Sequence, residues 1–231
     1  MSKFRQHRFV RPPGACELIL VRHGESAPAD PERPFPLVDG HGDPALHEPD
    51  GVEQARLACE RLLASGEDFA AVYVTTLQRT RQTAQVLLDR LGVEPVVEPD
   101  LREVHLGEWE GGRYREKVAA GDPIAIRMYT EERWDIIPGA EPSEAFADRV
   151  RGAIGRIAAA HPDATVAVFT HGGVIGQVMA EATGCRPFAF TGSDNCGITH
   201  LVVTADRWFV RIWNDTAHLS PRFTRDPEPL V

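Results

Sequence analysis

This chain alternates short apolar runs with helical segments, and that alternation leaves few folds open to it. Residues 18–21, 69–74 and 165–169 are apolar over the length of a buried strand and are too short for buried helices. Between these runs, apolar residues recur at the three- and four-residue spacing of a helix face. Strands that alternate with helices form a mostly parallel sheet with helices on both faces. We therefore predict an α/β fold, a three-layer α/β/α sandwich around a central sheet of about six strands.

Shorter signals place the remaining strands and the helix starts. Asp50 followed by Glu53 has the pattern of a capping box, and Thr76 and Ser143 stand where side chains often cap helices. Further strands are predicted at residues 96–97, 198–204 and 208–213. These strands complete the predicted sheet.

The whole chain, residues 1–231, is predicted to form one domain, because no repeat and no linker divides it. Residues 1–15 are expected to be a flexible leader, and the Pro- and charge-rich residues 220–231 a loose tail. Residues 27–49 have neither a strand nor a helix period and are predicted to be loop. Residues 105–140 are predicted to form two short helices, which make a small cap over the carboxyl ends of the strands.

The composition argues against several classes of function. A formal net charge of −9 is unfavourable for nonspecific binding to nucleic acids or membrane surfaces, and no apolar run is long enough to span a bilayer. His41, Asp43 and His47 have a spacing that suits a metal ion, but a loop without a second cluster favours coincidence. The cysteines are scattered without CxxC spacing; they are Cys16, Cys59, Cys185 and Cys196. A reducing cytoplasm is the expected location.

Polar residues directly follow three of the predicted strands. They are Arg22-His23-Gly24, residues 75–79, and Thr170-His171-Gly172. The carboxyl ends of parallel strands meet at one edge of a sheet, so two histidines and two arginines should converge there. Gly172 and Gly173 favour an anion at the N-terminus of the next helix. The sequence therefore predicts an anion site at this edge.

Further motifs follow Arg22-His23-Gly24-Glu25-Ser26 in a fixed order. They are residues 43–55, 77–84, 101–111, 171–173 and 195–199, together with Glu141. Together they resemble the motifs of the histidine phosphatase superfamily, the phosphoglycerate-mutase-like enzymes, over residues 17–219. Several ordered motifs are more specific than one tripeptide. Within them, residues 106–111 resemble the phosphatase-type branch.

The resemblance implies a catalytic role for three residues. Neutral His23 would attack the phosphorus of a phosphomonoester and form a phosphohistidine. Glu103 would protonate the leaving oxygen and then activate water as a general base. His171 would donate a hydrogen bond to the transferring phosphoryl group. The expected enzyme is a metal-independent phosphomonoesterase that hydrolyses a small phosphorylated metabolite.

The phosphoryl group would be bound without a metal ion or another cofactor. Arg22, Arg79, His171 and the backbone at Gly172 would supply hydrogen-bond donors and positive charge. The family often has an asparagine six residues after the nucleophile, where this chain has Ala29. That contact is therefore absent here or comes from elsewhere in the long loop.

Contacts to the rest of the substrate are predicted for Glu25, Ser26, Trp109, Arg113 and Asn195. The aromatic residues of the cap either wall the substrate site or form a small core beneath the cap; they are Trp109, Tyr114, Tyr129 and Trp134. Neither residues 27–49 nor residues 105–140 identify the substrate.

Two other functions stay open. A phosphoglycerate mutase would use the same site and pass the phosphoryl group to a second hydroxyl; Arg113, Arg115 and Lys117 are the basic residues that favour it. A non-catalytic phosphate-binding module is disfavoured because the chain keeps His23 and Glu103. The expected partner is a small phosphomonoester, and a homodimer is common among the proteins that this chain resembles.

Overall fold

The computed structural model describes residues 5–222, in which strands and helices alternate along most of the chain. The strands are β1 (Cys16–Arg22), β2 (Leu37–Val38), β3 (His41–Gly42), β4 (Phe69–Val74), β5 (Val96–Val97), β6 (Thr165–Thr170), β7 (Ile198–Val203) and β8 (Trp208–Asp215). The helices are α1 (Asp50–Ala64), α2 (Gln78–Leu91), α3 (Arg113–Ala119), α4 (Pro123–Glu131), α5 (Ser143–Ala160) and α6 (Gly172–Thr183). None of the helices within residues 5–222 is long and apolar enough to cross a membrane.

Six of the strands form one sheet in the order β5-β4-β6-β1-β7-β8. The neighbours β5, β4, β6 and β1 run parallel, whereas β7 is antiparallel to both β1 and β8. The register of β1 against β6 pairs Glu17 with Thr165 and Arg22 with Thr170. The residues that follow these two strands are His23 and His171, so both leave the sheet at the same carboxyl edge.

Helices cover both faces of the sheet. Val166 and Val168 of β6 pack in one core with residues of α5 and α6. Ala167 and Phe169, which alternate with them, pack in a second core with residues of α1 and α2. A strand buried on both faces reads as a continuous apolar run, which is the pattern that the sequence shows here. The predicted three-layer sandwich with a mostly parallel six-stranded sheet is confirmed.

Carboxylates from outside the first turn cap two helices, α2 from 35 residues away and α5 from eight residues away. The N-cap side chains of α1, α2 and α5 make no hydrogen bond, so the predicted caps at Asp50, Thr76 and Ser143 are wrong. Instead, Asp43 accepts a hydrogen bond from the first N–H of α2 (2.8 Å), and Asp135 accepts one from the first N–H of α5 (3.0 Å). Such caps satisfy the exposed helix N–H groups but leave no local sequence pattern.

The cap consists of α3 and α4 with short 3-10 turns at Gly107–Trp109 and Trp134–Ile136. It is joined to the loop of residues 27–49, which contains the β2–β3 hairpin. The Glu110 carboxylate accepts hydrogen bonds from the N–H of Gly42 in the loop (2.7 Å) and of Leu106 in the cap (2.8 Å). The predicted loop is therefore fixed against the cap by buried polar contacts.

Part of the predicted leader contacts the sheet layer. Arg11 donates a hydrogen bond to the Asp163 carbonyl (2.6 Å), and the Gly14 N–H donates to the Asp163 carboxylate (2.6 Å). The Arg211 guanidinium lies 4.0 Å from the centre of the Phe9 ring. The flexibility of the leader and tail stays a prediction, and residues 1–4 and 223–231 lie outside the described residues.

Candidate active site

Two histidines form the centre of the candidate active site. His23 follows β1 and His171 follows β6, and their rings meet edge to face with centroids 5.2 Å apart. Both are buried, with exposures of 6% and 0%. The two strand ends that the sequence predicts to converge are thus side by side.

The contacts of His23 fix its tautomer. Its Nδ1 donates a hydrogen bond to the Gly24 carbonyl (2.7 Å), which leaves the lone pair on Nε2. Asn195 donates its amide N–H to the His23 carbonyl (2.9 Å) and so holds the backbone of this residue. Burial, together with the positive charges of Arg79 and Arg22, lowers the pKa of His23 well below 6.5. A neutral imidazole with an available Nε2 can act as a nucleophile.

His171 is fully buried against His23, and one of its ring nitrogens bonds the protein. Its Nε2 is 3.0 Å from the Thr75 hydroxyl, whereas its Nδ1 has no hydrogen-bond partner among residues 5–222. Burial, with the charge of Arg79 and the neighbouring His23, lowers the pKa of His171 well below 6.5. Nδ1 is therefore the ring nitrogen through which His171 can bind a ligand.

The free energy of unfolding should fall as the pH drops below about 6.5. Folding lowers the pKa of both His23 and His171, so the unfolded chain binds more protons in this range. Each histidine contributes a slope of up to about 1.4 kcal/mol per pH unit, from the unfolded pKa down to the folded one. Urea unfolding between pH 7.5 and 5 measures this slope. His23→Gln should reduce it, and an unchanged slope would contradict the lowered pKa of His23.

Two guanidinium groups lie beside the histidines. Arg79 on α2 is buried and donates a hydrogen bond to the Gly42 carbonyl (2.9 Å), with the Asp43 carboxylate 3.8 Å away. Burial lowers the pKa of Arg79 to about 10, so the group stays charged at neutral pH. Arg22, at the end of β1, donates to the Ser193 carbonyl. Planar guanidinium groups match the oxygens of a phosphoryl group.

Glu103 lies on the other side of the cavity, at the N-terminus of α6. Its carboxylate accepts hydrogen bonds from the N–H of Gly173 (3.1 Å) and of Val104 (3.0 Å). Arg149 of α5 donates to the Glu103 carbonyl (2.9 Å) and pairs with Glu141 (2.7 Å). Glu141 is one of the residues that resemble the family. Through Arg149 it supports the backbone of Glu103.

These groups, except the fully buried His171, line one cavity that opens to solvent. The loop contributes Phe35, His41, Gly42 and Pro44, and the cap contributes Leu106, Trp109, Glu110, Gly111, Gly112, Tyr114, Arg115, Tyr129 and Trp134. Of the predicted site residues, those that line it are Arg22, His23, Ser26, Arg79, Glu103, Trp109 and Gly172. The structure brings these residues together, and their individual roles stay predictions.

Three of the predicted substrate contacts do not line the cavity. Glu25 uses its backbone N–H and carbonyl to bond Gln54 (2.9 Å) and His47 (2.8 Å). Asn195 bonds the backbone of the nucleophile, and Arg113 is exposed at the first residue of α3. Successive side chains turn by about 100° around a helix, so Arg113 and a residue two positions later face nearly opposite directions.

Arg115 lines the cavity although the sequence named Arg113, and not Arg115, as a substrate contact. Its guanidinium donates hydrogen bonds to the Ser26 hydroxyl (2.6 Å) and the Ala27 carbonyl (2.7 Å), and it lies 5.5 Å from the centre of the Phe35 ring. Burial and the charge of Arg22 lower the pKa of Arg115. No capping signal marks the start of α3 at Arg113, and the sequence alone does not show which of its basic residues faces the cavity.

Two of the loop residues with a spacing that suits a metal ion, His41 and Asp43, contact other protein groups. The rings of His41 and His105 pack edge to face, 5.0 Å apart, and Asp43 is bonded to the start of α2 and lies near Arg79. Within residues 5–222, no group of three or more His, Cys, Asp or Glu side chains is arranged to hold a metal ion.

Comparison with known proteins agrees with this arrangement. A sequence model of the histidine phosphatase superfamily (branch 1) matches residues 18–216. Phosphoglycerate mutase-like protein 4 of Arabidopsis thaliana is 32% identical over 208 residues, which are 88% of this chain and 87% of that protein. The metal-independent phosphoserine phosphatase of Arabidopsis thaliana is 32% identical over 207 residues, which are 88% of this chain and 83% of that protein.

Solved structures show the same fold. A mycobacterial glucosyl-3-phosphoglycerate phosphatase superposes with a TM-score of 0.70 at 27% identity, covering 86% of this chain and 98% of that one. A phosphoglycerate mutase from Bacillus anthracis has a TM-score of 0.72 at 23% identity, covering 90% and 96%, and so supports the fold alone. The family match spans the sheet and the cavity residues, and the chain is therefore an enzyme of the histidine phosphatase superfamily, branch 1.

Proposed function

We propose that this phosphatase is a phosphomonoesterase that works through a phosphohistidine on His23. The observation that carries the proposal is a buried, neutral His23 that presents Nε2 beside Arg22 and Arg79. Relatives named metal-independent phosphoserine phosphatase and glucosyl-3-phosphoglycerate phosphatase support hydrolysis of a phosphorylated metabolite. The substrate we propose is a small phosphomonoester.

In the first step, the lone pair of His23 Nε2 forms a bond to phosphorus while the bond from phosphorus to the leaving oxygen breaks. Negative charge spreads over the phosphoryl oxygens in this transition state. Arg22 and Arg79 neutralise it, and the N–H groups at the start of α6 add hydrogen-bond donors at Gly172. His171 donates from Nδ1 when the Thr75 hydroxyl donates to its Nε2.

Glu103 serves both steps as the proton carrier. As the acid, it gives its proton to the leaving oxygen, which departs as an alcohol. As the base, it then takes a proton from water, whose oxygen attacks phosphorus and breaks the bond to His23. Inorganic phosphate and the neutral imidazole result. The hydrogen bond from Gly173 keeps the carboxylate at the cavity wall during both transfers.

The experiment that tests this function combines a metal chelator with a trap for the intermediate. Turnover of 4-nitrophenyl phosphate should be unaffected by EDTA. Rapid quenching with labelled substrate should yield a phosphoprotein that is labile in acid and stable in alkali. Loss of turnover in EDTA, or label on a residue other than His23, would contradict the proposal.

The positions of the basic residues support hydrolysis as the proposed reaction in preference to a mutase. Of the three basic residues that favour it, only Arg115 lines the cavity, because Arg113 is exposed and Lys117 is paired with Asp122 (3.0 Å). A mutase must hold a second anionic group of its substrate, which needs cations beyond the phosphoryl site. With 3-phosphoglycerate we therefore expect release of inorganic phosphate and no isomerisation.

Replacing Gly173 with alanine should lower kcat by about 10- to 100-fold, because small displacements of a catalytic group are costly. A Cβ at this position would lie 2.4 Å from Glu103 Oε1, so the carboxylate must move. Helix stability should not fall, because alanine is favoured over glycine by about 0.5–1 kcal/mol. Gly155→Ala on α5 is the matched control, since nothing lies within 4 Å of its added Cβ. Equal kcat in the two variants would contradict this place for the Glu103 carboxylate.

A further inference from the structure

Beyond the phosphate-binding groups, five aromatic rings line the cavity. Phe35 comes from the loop, and Trp109, Tyr114, Tyr129 and Trp134 come from the cap. The ring of Tyr114 lies 6.3 Å from that of Trp109 and 6.1 Å from that of Trp134. We call these five residues the aromatic wall. Four of them lie in the cap, and Phe35 lies in the loop.

The aromatic wall is held from behind by a small core. Trp109 and Tyr114 are buried and pack with Met128 of α4. Tyr129 is 37% exposed, and Trp134 is partly exposed at the mouth of the cavity. Trp109, Tyr114 and Trp134 therefore pack with the small core and also line the cavity, whereas Tyr129 lines the cavity outside that core. Rings fixed in this way present a flat surface at little cost in side-chain entropy.

Several polar groups among these rings are already bonded to the protein, although Nε2 of His41 has no hydrogen-bond partner among residues 5–222. Both oxygens of Glu110 accept backbone N–H groups, and the hydroxyls of Tyr114 and Tyr129 bond each other (2.9 Å). The terminal nitrogens of Arg115 donate to Ser26 and to the Ala27 carbonyl. The faces of the aromatic rings favour a flat, apolar leaving group.

We infer that the alcohol released by this enzyme carries an aromatic ring, as in an arylalkyl or nucleoside-type phosphate. The ring stacks on the exposed faces of Tyr129 and Trp134 while the phosphoryl group reaches His23. Aromatic pairs prefer offset or edge-to-face contacts and gain energy beyond the buried area. This inference rests on the proposed phosphomonoesterase function and adds the chemical class of the substrate.

Matched synthetic substrates test the inference. Phenethyl phosphate should have a kcat/KM about 3- to 10-fold higher than cyclohexylethyl phosphate, a bulky primary alkyl phosphate with the same carbon count but no aromatic ring. Its advantage over phosphoserine and over ribose 5-phosphate should be larger. Equal or higher values for any of the three comparison substrates would overturn the inference. If none of the four releases phosphate, the phosphomonoesterase proposal itself has failed.

Substitutions test whether the preference for an aromatic substrate comes from the aromatic wall. Tyr129→Leu keeps apolar volume but removes the ring, so the ratio of phenyl to cyclohexyl substrate should fall toward one. Tyr129→Phe keeps the ring and should keep the ratio. Ile126→Ala, at an exposed position of α4 outside the cavity, is the control for the helix. Trp134→Leu is the second test, and an unchanged ratio in both leucine variants would overturn the inference.

Discussion

The His23→Ala variant should lose turnover of 4-nitrophenyl phosphate by about 10⁴-fold or more, because removal of a nucleophile abolishes the covalent route. The neighbouring His171 is fully buried and bonded to Thr75 through Nε2, so we do not expect it to replace His23. Binding of inorganic phosphate should persist, because Arg22 and Arg79 remain in the cavity. Stopped assays of phosphate release and calorimetric titration with phosphate measure the two effects separately.

A second histidine variant controls for the loss of an imidazole. His161 bonds the Tyr73 hydroxyl (3.0 Å) and does not line the cavity, so His161→Ala should retain activity. Phosphate binding by His23→Ala shows that its site is folded. If His23→Ala retained more than about one hundredth of the wild-type rate, the phosphohistidine mechanism would be wrong.

The Arg79→Ala variant should lower kcat/KM by about 10²- to 10³-fold, or about 2.7–4 kcal/mol of barrier. Arg79 is a buried cation held in place by Gly42 and Asp43 before any substrate binds. A donor fixed in this way stabilises developing charge without reorganising during the reaction. Arg79→Lys should recover part of the loss, because lysine keeps the charge but not the two-pronged geometry.

Arg81, two residues later on α2, provides the matched control. It is exposed and pairs with Glu94 (3.1 Å) at the surface. Arg81→Ala removes the same side chain from the same helix, and kcat/KM should stay within about twofold, as for most surface substitutions. Similar losses in both arginine variants would point to a general electrostatic effect and would contradict a direct role of Arg79.

The sheet and the strand-end residues could be predicted because their signals are local. The apolar run before Arg22 and the one before His171 each encode a strand buried on both faces, and the register of β1 against β6 places their ends together. Arg79 follows from the same logic, since it is the second residue of the helix after β4. Each of these positions is fixed by the element that precedes it.

The outer parts of the site depend on contacts between distant segments, which short sequence patterns do not encode. Asp43 caps α2 from the loop, and Asp135 caps α5 from the cap. Which of Arg113 and Arg115 faces the cavity depends on how α3 packs with Tyr114 buried, and Gly112 gives no side-chain cap to mark where this helix begins.

The hydrogen bonds of Glu110 limit how the substrate preference can be changed by exchanging segments. One carboxylate satisfies backbone N–H groups in both the loop and the cap, and the Phe35 N–H adds a bond to the Gly111 carbonyl (3.0 Å). A chimera that replaced only residues 105–140 with a segment lacking a carboxylate at position 110 would leave the partly buried N–H of Gly42 unpaired, at a cost of about 1–3 kcal/mol. Residues 27–49 and 105–140 therefore form one module for engineering, to be transplanted together or not at all.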